Sequence, residues 1–220
     1  MSLLLQFHIA LGAAGLLAGL GPLLLTKGTK LHTRLGFVFT AAMLLTGVTA
    51  LFLTEANPAN LLTPLAILML NQCIVGHAAL YAKMRPFASL LSKVTLLATV
   101  VFLGYSLYVV WPLLAQGQMV GIVTVVIAGG LVPLSIQDAR HLFGQFSRKL
   151  SIRIHASRMV GTYIGASVAF LVNAVSSGWG SVAIPSMIGV GLIIYWSARI
   201  SKRGLEGMEM GNMRFGSKRA

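Results

Sequence analysis

Long apolar stretches alternate along this chain with short basic ones. The apolar runs fall at about 3–25, 35–54, 62–82, 94–114, 119–137, 159–176 and 181–198. An α-helix rises about 1.5 Å per residue, so about 20 apolar residues cross the hydrocarbon core of a bilayer. The pattern predicts an all-α polytopic membrane protein with seven transmembrane helices, the fifth and the last two being somewhat short. The connection at 55–61 reads Glu-Ala-Asn-Pro-Ala-Asn-Leu, a cluster of turn-forming residues. The first run carries no basic leader and no clear small-residue cleavage site, so it is expected to be a retained first helix rather than a signal peptide.

Composition points the same way. Of the 220 residues 56% are hydrophobic, and 10% are charged, against about 25% in an ordinary soluble domain. That is too little charge to coat a soluble globule, which excludes a cytosolic enzyme, a secreted domain and a disordered chain. The net charge of +13 would suit nucleic acid, but its distribution argues otherwise. All 17 Lys and Arg fall in alternate connections. Lys27, Lys30 and Arg34 lie between runs one and two, and Lys83, Arg85 and Lys93 between three and four. Arg140, Arg148, Lys149, Arg153 and Arg158 lie between five and six, and the rest follow from Arg199. Seven spans put these on one face, so the positive-inside rule predicts an N-out, C-in protein of the bacterial inner membrane. The expected partner is the lipid bilayer, with a membrane redox partner or a homo-oligomer beyond it, and no nucleic acid.

Several local patterns add expectations. Cys73 is the single cysteine, so neither an intramolecular disulfide nor a Cys-based metal site is available. Gly15 with Gly19, and Gly161 with Gly165, form GxxxG pairs suited to close helix approach. Trp111, Trp179, Tyr195 and Trp196 sit where interfacial belts are expected. Segment 138–158 reads as an amphipathic helix on the inner leaflet, through Leu142, Phe143, Phe146, Leu150 and Ile154. Residues 199–220 form a basic tail expected to be disordered or lipid-adsorbed. Its Met208, Met210 and Met213 suit a soft metal or, more simply, no ligand at all. Gly19-Leu20-Gly21-Pro22-Leu23 resembles Gly130-Leu131-Val132-Pro133-Leu134, and a basic–aliphatic–His step follows each. This suggests a parallel repeat relating helices 1–2 to helices 5–6.

Candidate chemistry centres on histidine. His32, His77, His141 and His155 fall near the cytoplasmic ends of spans, whereas His8 lies towards the outer end of span one. Neutral imidazole is a preferred metal and haem ligand. In one reading His32 and His155 ligate a b-type haem, with Arg34 and Arg158 facing its propionates. In a second, His32, His77 and His155 with Asp138 hold zinc in a membrane hydrolase. In a third, the histidines bond to backbone or headgroups and ligate nothing. His8 is either functional or an interfacial group in reach of water. Asn71 and Gln72, inside span three, either join helices or line a substrate path with His77 in a small-molecule transporter or binding protein without metal. Walker, Rossmann and GxSxG motifs are absent from the sequence.

The stretch from His8 through Gly12, Gly15 and Gly19 to Lys30-Leu31-His32-Thr33-Arg34-Leu35-Gly36 resembles a bacterial predicted-membrane-protein family, domain of unknown function 2306. Asp138-Ala139-Arg140 and His155-Ala156-Ser157-Arg158-Met159 also resemble it. The resemblance runs to about residue 176 and implies a multi-helix inner-membrane protein without an agreed activity. A looser similarity around His32 is to transmembrane b-type cytochromes, although span four has no histidine to continue their pattern. The leading expectation is a haem- or metal-binding component, with electron transfer as the role it suggests and its site near the cytoplasmic face.

Overall fold

A computed structural model describes residues 2–60, 62–81, 85–144, 148–174, 184–196 and 198–199. Among these no strand occurs. Seven helices follow in order: α1 Leu3–Leu24, α2 Lys30–Leu53, α3 Leu62–Ala78, α4 Pro86–Ala115, α5 Met119–Gly129, α6 Leu131–Phe143 and α7 Arg148–Ala174. A further apolar helix, Ile184–Trp196, follows them. Four helices are long and apolar enough to cross a membrane: α1, α2, α4, and α5 with α6 taken together as Gly121–Phe143. Large apolar side chains on α4 point outward, including Phe87, Leu97, Val101 and Tyr108. Such a surface suits lipid rather than water.

Local chemistry sets the helix ends. Ser2 and Thr29 cap α1 and α2, their hydroxyls accepting from the backbone N–H of Leu5 and His32. Gly28 turns the chain between them with φ +83°, a conformation that a β-carbon disfavours. The basic stretches prove largely helical: α2 begins at Lys30, α4 at Pro86 and α7 at Arg148, each well before its apolar run. The fifth apolar run is broken into α5 and α6 at Gly129–Gly130. Pro133, with no N–H to bond the turn before it, explains the break.

Helices α1, α2, α3 and α7 pack in a ring, α4 and α5 pack against α3, and α6 packs against α4 and α5. Small residues make the close approaches, as the GxxxG pairs predict. Gly15 and Gly19 face Met43 and Phe39 of α2, and Gly161 and Gly165 face Gln72 and Met69 of α3. The core between α2, α3 and α7 is Phe39, Met43, Met69, Cys73 and Ala166. On α4 the polar residues Ser92, Thr95, Thr99 and Ser106 are buried while apolar ones face out. Ser92, Thr95 and Thr99 each donate to the carbonyl four residues back, which satisfies the hydroxyl within the helix.

Two expectations need correction. Segment 138–158 is not one in-plane helix. Its first part completes α6 and its last part opens α7, where Ile154 is fully buried against Val75 and Ala79. Apolar contact with α3 outweighs adsorption at the surface. Phe146 lies outside the described residues, as do Trp179 and the tail from 200 with its three methionines. The proposed repeat does not extend to packing. The α1–α2 hairpin is tightly packed, whereas α7 turns to α3, and α6 to α4. The two Gly-Pro motifs also differ in place, since Pro22 sits in the last turn of α1 and Pro133 in the first turn of α6.

Candidate functional site

Three polar centres stand out within the apolar bundle. The most buried is an ion pair. Arg158 of α7 and Asp138 of α6 are each 1% exposed, and Arg158 Nη2 lies 2.5 Å from Asp138 Oδ1. The same nitrogen donates to the Leu134 carbonyl at 2.9 Å and to Gln137 Oε1 at 3.2 Å. Nη1 donates to Asn71 Oδ1 at 3.3 Å, and Asn71 Nδ2 donates on to Thr99 Oγ1 at 3.0 Å. One guanidinium thereby joins α3, α4, α6 and α7. An unpaired charge at this depth is costly, and mutual neutralisation with added hydrogen bonds offsets that cost. Asp138 and Arg158 are thus engaged with each other, rather than presented to a zinc ion and a propionate as the sequence reading expects.

The second centre holds three of the expected ligands. His155 donates from Nδ1 to the Gly76 carbonyl at 2.8 Å, which fixes the tautomer that leaves Nε2 as an acceptor. His77 at the end of α3 and His32 near the start of α2 both lie within electrostatic reach of His155. Among the described residues, the buried Nδ1 of His32 meets no hydrogen-bond partner. Among the described residues no three His, Cys, Asp or Glu converge into a metal-ligating group. Arg34, two residues beyond His32 on α2, is exposed. His77 packs its ring on Tyr81 at 6.1 Å. Nearby, Lys27 closes the end of α1 by donating to the Pro22 and Leu23 carbonyls, with Nζ 4.4 Å from the Trp196 ring centre. Burial there lowers the ammonium pKa of Lys27 from its ordinary value.

The expected path through Asn71, Gln72 and His77 is closed. Asn71 and Gln72 are buried in helix contacts while His77 is exposed on another face of α3. Open space lies instead towards the other end of the bundle. A cavity of about 470 Å³ lies between the N-terminal parts of α1 and α3 and the C-terminal parts of α2 and α7. Leu16 and the buried Met69 and Ala166 form its deep end, and the exposed Asn60 and Asn173 line its mouth. His8 stands in its wall, with Nδ1 2.9 Å from Thr49 Oγ1. Sequence reading singles out His8 but neither its partner nor the cavity, because a void has no motif.

Compared with known proteins, the chain matches no family model, no curated protein sequence and no solved structure. The resemblance drawn from the sequence therefore rests on its motifs alone.

Proposed function

We propose that this chain is an intramembrane binding protein for a lipid-soluble small molecule, held in the cavity between α1, α2, α3 and α7. The observation that carries this reading is the cavity itself. Its 470 Å³ falls within the about 300–1,000 Å³ of small-molecule sites, and such sites are mostly apolar with a few placed polar groups. In this reading the chain crosses a bacterial inner membrane seven times, by α1, α2, α3, α4, α5–α6, α7 and Ile184–Trp196. The basic connections lie in the cytoplasm and the cavity opens towards the opposite side.

The test is photolabelling with benzophenone of the purified protein in lipid nanodiscs, with adducts located by peptide mass spectrometry. Saturable adducts at cavity residues are expected. Gly12→Phe should abolish them, because a β-carbon at Gly12 meets nothing closer than Thr46 at 3.7 Å and the ring then fills the void. Labelling spread over lipid-facing residues, unchanged by Gly12→Phe, refutes the reading.

A second reading keeps the inner histidines as ligands of haem b or a zinc-like ion in a redox component or hydrolase. It is favoured by the Gly76 carbonyl orienting His155, the arrangement usual behind a ligating imidazole. A haem bound there would supply one-electron chemistry; the chain's own part is to hold His155 in the right tautomer beside His32. Expressed with ample haem, the protein should show a Soret band that His155→Ala removes. A colourless protein free of stoichiometric zinc discards this reading.

A further inference from the structure

The cavity has an electrical and hydrogen-bonding character that narrows its ligand. We infer that it selects a neutral apolar molecule bearing a hydroxyl group, an alcohol or phenol, whose O–H donates to His8 Nε2. This rests on the binding reading above and specifies its ligand class.

Two independent observations converge. First, among the described residues no Lys, Arg, Asp or Glu lines the cavity. The Lys and Arg of the chain fall at 27–34, 83–93, 140–158 and 199–219, in none of the segments that line the cavity. A carboxylate or phosphate would enter low-dielectric surroundings with no countercharge, and an ammonium would fare no better. The ligand is therefore uncharged.

Second, the neighbours of His8 point to one hydrogen-bond direction. Thr49 Oγ1 lies 2.9 Å from the Leu45 carbonyl and 3.0 Å from the Thr46 carbonyl. A hydroxyl has one proton to donate, and a carbonyl can only accept, so the Thr49 proton is committed to its own helix. In this assignment the same oxygen accepts towards His8, and Nδ1 carries the hydrogen. The neutral ring leaves Nε2 as a lone pair. A ligand group meeting it must donate, which an alcohol or phenol does and an ether, ketone or ester does not. The cavity runs along α1 from Leu5 to Leu16, about 16 Å at the helical rise. His8 sits part-way down, between the polar mouth and the apolar end at Met69. The apolar body of the ligand therefore lies deeper than its hydroxyl.

Three photoreactive relatives of one size separate the terms: 4-hydroxybenzophenone, 4-methoxybenzophenone and 4-benzoylbenzoate. They are titrated against the full chain in nanodiscs, at a pH that keeps the phenol neutral. The hydroxyl compound should half-saturate cavity labelling at about five- to tenfold lower concentration than the methoxy compound, the scale of one hydrogen bond. The carboxylate should label the cavity at least about tenfold more weakly than either. His8→Leu should erase the hydroxyl preference, so that the hydroxyl, methoxy and unsubstituted compounds half-saturate at similar concentrations. Cavity labelling without hydroxyl preference, or a preference that survives His8→Leu, overturns the donor assignment and leaves the binding reading standing. Preferred labelling by the carboxylate overturns the neutral-ligand assignment. Absence of cavity labelling by any of the four compounds overturns the binding reading and this inference together.

Discussion

Gly76→Ala isolates the approach of α3 to α7. A β-carbon on residue 76 would stand 2.7 Å from Arg158 Cβ and 2.6 Å from Met159 Cε. Carbon pairs settle at about 3.5–4.0 Å, so each contact is about 1 Å short. The Met159 methyl is the end of a flexible side chain and can swing away. Arg158 Cβ cannot, because it is fixed to the α7 backbone and its guanidinium is held by Asp138, Leu134, Gln137 and Asn71. Relief requires α7 to retreat by about 1 Å, which stretches the His155–Gly76 bond from 2.8 Å past useful range. Overpacking costs about 1–3 kcal/mol and the lost hydrogen bond about 1 kcal/mol. The better helix propensity of alanine returns up to about 1 kcal/mol. The expected net loss is about 1–3 kcal/mol. Reversible unfolding by SDS in mixed micelles, followed by circular dichroism, measures it. Gly104→Ala is the control, since its β-carbon meets nothing within 4 Å, and it should be neutral or stabilising. Equal stabilities of the two variants would refute the packing argument.

Three further outcomes follow from named contacts. Asp138→Leu or Arg158→Met alone should each cost about 3–5 kcal/mol by leaving one buried charge unpaired, and the double variant should recover much of that; additive losses in the same unfolding assay would deny the coupling. Cys73 is fully buried, so it should resist maleimide in folded protein and react once SDS opens the bundle. With that silent background, Gln116→Cys should react with an impermeant maleimide added outside intact cells. Thr26→Cys should react only after permeabilisation, and the reverse pattern would invert the proposed topology.

Much of the scaffold is readable from the sequence because one quantity governs it. A helix must be apolar for a bilayer's length, and the first six apolar runs mark α1 to α7 in order, the fifth covering both α5 and α6. What the runs miss is where helices continue into basic residues, as α7 does for eleven residues before the run at 159. Charge there does not mark the helix end. The GxxxG pairs are equally legible, since close packing needs small residues at one spacing. The candidate sites are less so. His155 and Arg158 are noticed as polar residues near a span, but their partners come from α3 and α6, brought together by packing. The buried hydroxyls of α4 at 92, 95, 99 and 106 share one helix face, a signal that spacing alone offers. The pairing of His8 with Thr49 is set by how α1 rests on α2.

The four walls of the cavity are made at different times. Helices α1 and α2 are complete by Leu53 and α3 by Ala78, but α7 ends at Ala174. At roughly 5–20 residues per second of synthesis, the fourth wall follows α3 by about 5–20 s. During that interval the His8 face of the first hairpin has no α7 beside it, and lipid is the available neighbour. Ala166 and Phe170 take that place when α7 arrives. An occupant of the cavity can thus be enclosed as the protein is built, rather than having to enter a finished one.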